Sequence, residues 1–216
     1  METFTEKNLN KFRYELKYKI NRVQYHQLKK TLSKNYFFEK HRSNVINNIY
    51  FDNNLKSYYE NIEGLSKRKK TRLRWYGETD SLINSNIEIK IKDGNVGTKR
   101  RFSFSKNIKS NEFNLINFNV NNILGIKEDE YLHVQLINSY NREYYFSSHA
   151  RITIDTNIKY FDVNSLERFY GEKNIIVEIK FNNNNNYFLS IPNQIDLKIS
   201  KYSKYVNGIN YLKKAQ

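Results

Sequence analysis

Three times the chain places a glutamate two residues before a lysine within an alternating apolar and charged run: Glu15 and Lys17, Glu88 and Lys90, Glu178 and Lys180. On an extended backbone, residues two apart share a face. Each pair therefore sets a carboxylate beside an ammonium. The carboxylate can hold Mg2+ or Mn2+ while the ammonium holds a phosphate oxygen. The same pair can also serve as a plain ion pair on the sheet surface. Arg72 and Arg74 share a face in the same way, and guanidinium offers the planar pair of donors that phosphate accepts. The familiar nucleotide motifs are absent: there is no GxxxxGK[ST] loop, no GxGxxG and no kinase catalytic set. His26, His41, His133 and His149 have no metal-ligand spacing, and no nucleophile stands with an evident base. Without cysteine there are no disulfides and no thiolate zinc site.

The elements that must carry these residues are mostly strands. In 13–20 every odd position is charged (Arg13, Glu15, Lys17, Lys19) and every even one is apolar or aromatic. Arg68, Lys70, Arg72 and Arg74 form one face of a second segment, with Leu73 and Trp75 on the other. The alternation continues through Glu88/Lys90/Lys92, Lys99/Arg101, Arg151/Thr153/Asp155 and Glu178/Lys180. A period of two over such runs predicts strands. Helical spacing is confined to a few places. Val23, Leu28 and Leu32 follow Asn21, a candidate N-cap. Leu55, Tyr58, Tyr59 and Ile62 follow Asn53 and Asn54, and Ile199, Tyr202, Val206 and Ile209 lie near the C-terminus. Gly208 weakens that last helix by about 1 kcal/mol relative to Ala. Phe113–Phe118 suggests one short helix, and Asn182–Asn186 a loop.

Lys and Arg number 37 against 22 Asp and Glu, a net charge of +15, which points to a polyanionic partner. No run approaches the roughly 18 apolar residues of a membrane span, and Met1–Lys11 lacks the apolar stretch of a signal peptide. One Pro, seven Gly and no linker or repeat predict a single domain over 1–216. The dense mixture of Arg, Lys and Glu on six strand faces predicts an α+β protein. Its antiparallel sheet is expected to close into a barrel, a tunnel with a charged interior, with the apolar face outward against a few flanking helices. A lining of cations repels itself unless an anion fills it, so the expected ligand is an elongated polyanion.

The stretches RYELKYKI (13–20), NIYFDN (48–53), TRLRWYG (71–77), IEIK (87–90), TKRRF (98–102), YNR (140–142), ARITIDT (150–156), VEIK (177–180) and SKYSKYVNG (200–208) run in one order along nearly the whole chain. In these stretches the chain resembles the catalytic domain of the VTC polyphosphate polymerases, a branch of the CYTH-like triphosphate tunnel metalloenzymes. The resemblance implies that Lys17, Arg72, Arg74, Lys90, Lys99, Arg142, Lys201 and Lys204 contact phosphate, with Lys201 and Lys204 on the last helix. It implies that Glu178 binds the metal, and that Arg151 and Tyr140 support the same surface. Lys180 joins the phosphate set, and Glu15 and Glu88 the metal set, through their Glu-x-Lys pairs. The wider superfamily carries Glu-x-Glu-x-Lys on its first strand, where this chain has Arg13-x-Glu15-x-Lys17. That change removes one carboxylate and lowers the expectation of a hydrolase.

The activity so implied is ATP-dependent polyphosphate synthesis with Mn2+ or Mg2+ as cofactor. The partners are ATP and inorganic polyphosphate, with no specific nucleic acid. The expected location is the cytoplasm, with a membrane partner able to hold the protein at the cytoplasmic face. A tripolyphosphatase or nucleoside triphosphatase of the same fold, and a non-catalytic polyphosphate-binding subunit, remain open beside it. The 18 Tyr could also stack bases in a nucleic-acid module, but many fall on apolar-phase positions.

Overall fold

In the computed structural model, the described residues are 14–39, 42–77, 84–94, 96–147, 150–163, 169–181 and 190–214. Arg13, His41, His149 and the expected loop at 182–186 lie outside them. The chain divides into two compact units.

The first unit comprises 1–44, 141–158 and 172–202. It holds β1 (Tyr14–Ile20), α1 (Arg22–Lys34), β2 (Phe38–Glu39), the end of β7 (His133–Phe146), most of β8 (Ala150–Phe161), β10 (Ile175–Phe181) and the short α4 (Ser190–Gln194). The strands run in the order β1-β10-β8-β7, with β2 also on β7. Alternation sorts them by face. Tyr18, Ile20, Ile152, Ile154, Val177 and Ile179 point into a core closed by Leu28 and Leu32 of α1. Asn21 caps that helix as its spacing predicts: its side chain accepts from the Gln24 amide while the Gln24 side chain accepts from the Asn21 amide. Val23 is 66% exposed, so the buried stripe begins at Leu28.

The second unit comprises 45–140, 159–171 and 203–216. Its strands are β3 (Asn44–Asp52), β4 (Lys67–Tyr76), β5 (Ser85–Asp93), β6 (Val96–Phe104), the first part of β7, the end of β8 and β9 (Phe169–Gly171). The order β7-β3-β4-β5-β6 is an antiparallel meander from β3 onward. Its core gathers Ile49, Phe51, Leu73, Trp75, Ile87 and Phe104 under Ile116 and Val120 of α3 (Phe113–Leu124). That helix outruns the expected 113–118, ending only where Gly125 turns left-handed at φ 61°. The helix α2 (Lys56–Ile62) begins after two left-handed residues, Asn54 and Leu55, and Asp52 accepts from the Ser57 and Tyr58 amides at its start. Only Tyr58 of its expected stripe is buried. The last helix, α5 (Lys204–Lys214), starts later than its apolar spacing suggests.

The antiparallel α+β architecture is as expected, with the apolar face of the sheet in each unit packed against a helix. The closed barrel is not made by the strand pairing: among the described residues β1 and β6 each have one strand neighbour. A different segment occupies the outer edge of β1. Tyr18 bridges to Ile199, and the Ser200 amide donates to the Lys17 carbonyl at 2.7 Å. This explains why Ile199 is not helical: its backbone serves as an edge partner. Among the described residues no helix is long and apolar enough to cross a membrane.

Candidate functional site

In the second unit the registers of β4, β5 and β6 put Arg72, Glu88 and Arg101 in one row and Lys70, Lys90 and Lys99 in the next. Both rows lie on the face opposite Leu73 and Ile87. Glu88 is the hub. Its Oε2 accepts from Arg72 Nε at 3.0 Å and Nη2 at 2.6 Å, and its Oε1 from Lys99 Nζ at 2.9 Å and Arg101 Nε at 3.1 Å. Arg74 Nη1 lies 3.6 Å from the same carboxylate. Glu88 is 3% exposed. Burial by itself would raise its pKa, but Arg72, Arg74 and Lys99 outweigh that and hold the carboxyl well below the usual range. Burial lowers the Lys99 pKa, and the neighbouring Arg101 and Arg72 add to the effect against the pull of Glu88. Four cations thus lie within 4 Å of one carboxylate, and a lysine among them already resists its charge.

Arg74 is held from three sides. Its Nε donates to Asn48 Oδ1 at 2.9 Å and its Nη2 to the Tyr140 hydroxyl at 3.2 Å, while Asn48 donates to Asn138 at 2.8 Å. The Lys204 ammonium stands 4.4 Å from the centre of the Tyr140 ring. Lys70 donates to Ser203 at 2.9 Å, just before α5. That helix is anchored by Tyr205, whose hydroxyl donates to buried Asp52 at 2.6 Å, and by the Tyr58 hydroxyl donating to Asn210 at 2.6 Å. Lys90 is exposed on the Lys70–Lys99 row.

In the first unit the paired rows are Glu15/Lys180/Arg151, Lys17/Glu178/Thr153 and Lys19/Ile176/Asp155. Lys180 Nζ bridges Glu15 at 3.0 Å and Glu178 at 2.9 Å. Lys17 Nζ lies 3.1 Å from Glu15 and 4.0 Å from Glu178, and donates to the Tyr202 carbonyl at 3.2 Å. Arg142 grips Asp155 with two bonds of 2.6 and 2.7 Å. Lys201 is exposed and precedes α5, so it does not share the helix expected for it with Lys204.

The sequence-derived set is therefore gathered in two places. Arg72, Arg74, Lys90, Lys99, Tyr140, Lys204 and Glu88 belong to the second unit; Lys17, Arg142, Arg151, Lys180, Lys201, Glu15 and Glu178 belong to the first. Glu88, expected as a metal ligand, has both oxygens engaged by cations, as do Glu15 through Lys17 and Lys180 and Glu178 through Lys180 and, at 4.0 Å, Lys17. Among the described residues no group of three or more His, Asp or Glu is placed to hold a metal. Glu15 and Glu178 nevertheless share one ammonium, and two carboxylates suffice for Mg2+ or Mn2+ when phosphate oxygens complete the shell. The sequence reading placed Lys70, Arg101 and Asp155 on charged strand faces but gave them no role in the site, and gave none to Asn48. Arg101 was signalled by its place two residues after Lys99; nothing local signals Asn48.

The fold is shared with solved proteins. The PH1012 protein of Pyrococcus horikoshii OT3 superposes with a TM-score of 0.56 at 14% identity, over 91% of this chain and 99% of its own. HpAC1 of Hippeastrum, named for adenylyl cyclase and described as having a dominant triphosphatase activity, gives 0.54 at 11% identity over 92% and 96%. An adenylate cyclase candidate from Vibrio parahaemolyticus gives 0.52 at 14% over 89% and 94%. At these identities the likeness is one of fold. No curated protein matches the chain. The model of the VTC domain matches residues 12–213, and the chain belongs to that family.

Proposed function

We propose that this chain is an ATP-dependent polyphosphate polymerase. It would transfer the γ-phosphoryl group of ATP to the terminal oxygen of an inorganic polyphosphate and release ADP. The observation that carries the proposal is the Glu88 face, where four cations meet one carboxylate and a phosphate chain would add negative charge. Membership of the VTC domain family supports it.

In the transfer, the bond between the γ-phosphorus and the β,γ-bridging oxygen breaks as the bond to the acceptor oxygen forms. The acceptor is already an anion, so no protein nucleophile or general base is required. Catalysis rests on alignment and on cations placed where charge develops. Arg72 and Arg74 offer rigid, preset guanidiniums, with Arg74 fixed by Asn48 and Tyr140. Lys90 and Lys99 add ammonium groups, and Lys204 extends the basic surface beside Tyr140. In the other unit Lys17, Lys180, Arg142 and Arg151 hold phosphate oxygens, with Lys201 as an exposed contact. Glu178 and Glu15 would hold Mn2+ or Mg2+, which would supply positive charge to neutralise the phosphates.

Hydrolysis of tripolyphosphate or nucleoside triphosphate is the second reading, favoured by the fold shared with a protein described as a triphosphatase. Incubation of the purified protein with ATP and Mn2+, with products resolved by length on a gel, separates the two. Long chains that disappear in Glu178→Gln are expected. Release of orthophosphate without chains assigns the hydrolase. A folded protein yielding neither defeats both enzymatic readings.

A further inference from the structure

Thr153 stands between Arg151 and Asp155 on the charged face of β8, paired directly with Glu178 and one strand further from Lys17. It is 2% exposed, and its hydroxyl oxygen has no hydrogen-bond partner among the described residues. A hydroxyl can rotate to reach any acceptor near it, so a buried one left unpaired is unusual. Its desolvation cost, on the order of 1–3 kcal/mol, falls on the ligand-free protein. On the opposite face, alternating with it, Ile152 and Ile154 are both fully buried in the core. A valine would fill the volume of Thr153 without that cost. The surroundings state what acceptor the hydroxyl awaits. Lys17 lies in its row, Lys180 and Arg151 in the next, and Arg142 is bound to Asp155 in the third. Lys17 and Lys180 are long, only partly buried, and tied to carboxylates that a phosphate could displace.

From this we infer that Thr153 is a phosphate-binding residue: its hydroxyl donates to a phosphate oxygen held by Lys17, Lys180 and Arg151. The assignment rests on the proposed phosphate-handling function. It adds to a charge-matched surface a short, neutral donor of fixed reach. Such a donor favours a ligand oxygen at one place, where the flexible ammonium groups alone would tolerate several.

The test compares wild type, Thr153→Val and Thr153→Ser by calorimetric titration with tripolyphosphate, in a chelator and again with Mn2+, together with their thermal melts. In Thr153→Val, binding should weaken on the order of tenfold in both conditions, as for loss of a hydrogen bond to a charged group. The ligand-free melting temperature should be unchanged or higher. Thr153→Ser, which keeps the hydroxyl, should bind close to wild type. Wild-type affinity in Thr153→Val overturns the inference and leaves the phosphate-handling function standing, whereas a wild-type protein that ignores tripolyphosphate sinks both. A lower melting temperature in Thr153→Val means the hydroxyl is already used in the ligand-free fold. A defect seen only with Mn2+ assigns the hydroxyl to the ion. Thr153→Ser binding as weakly as Thr153→Val assigns the effect to the methyl group. Each of these three results rejects the phosphate contact.

Discussion

Replacing Glu88 by glutamine keeps the shape of the hub and removes its charge. Breaking a buried ion pair from one side costs about 3–5 kcal/mol, because the partner's charge stays behind. Arg72 and Arg74 are the sheltered partners here, whereas Arg101 is 62% exposed. Pairs of that exposed kind contribute about 0–1 kcal/mol. The glutamine oxygen can still accept one bond. A loss near the lower end, about 3 kcal/mol, is therefore expected. For a chain of this size that corresponds to a fall of roughly 6–12 °C in melting temperature. Added salt should narrow the gap by screening the uncovered cations. Tripolyphosphate should narrow it further, since an anion bound to the folded state replaces the missing charge. The assay is a thermal melt by circular dichroism at low salt, with a tripolyphosphate titration for each protein. A variant melting within about 2 °C of wild type, or gaining less from tripolyphosphate than wild type does, refutes the view of Glu88 as counter-ion to a phosphate-binding array.

The same carboxylate fixes a pH dependence. Its folded pKa lies below the ordinary value of 4.5, so its contribution is present above about pH 4.5 and is lost as the pH falls toward the depressed value. The difference in stability between wild type and Glu88→Gln should shrink on acidification from about pH 5 to about pH 3, and a constant difference across that range counts against the assignment. Gly208→Ala tests the seat of α5. A Cβ there would press into Leu136 Cδ2 and sit 2.8 Å from Tyr160 Cδ1. Overpacking of about 1–3 kcal/mol should exceed the roughly 1 kcal/mol of helix propensity gained. The expected net result is a lower melting temperature, and a more stable variant would show that the helix can slide to make room.

The sequence by itself determined the strands and their two faces. Alternation at a period of two forces Leu73 and Trp75 to one side of β4 and Arg72 and Arg74 to the other, because an extended chain has no alternative placement. It also determined the start of α1, since Asn21 and Gln24 satisfy each other's amides within one turn. Only the tertiary structure decided which charges meet. Glu88 looks like Glu15 and Glu178 in its local pattern, yet the β4-β5-β6 register surrounds it with cations, while Glu15 and Glu178 share Lys180 across a pairing of strands from opposite ends of the chain. Local propensity misread the C-terminal segment for a similar reason. Ile199 fits a helical stripe but serves as a backbone partner for β1. Gly208 weakens an isolated helix, yet a Cβ at that position of α5 would crowd the side chains of Leu136 and Tyr160. Spacing along the chain fixes which face a side chain occupies. Its partners depend on strand register and helix docking, which bring together residues as far apart as Asp52 and Tyr205.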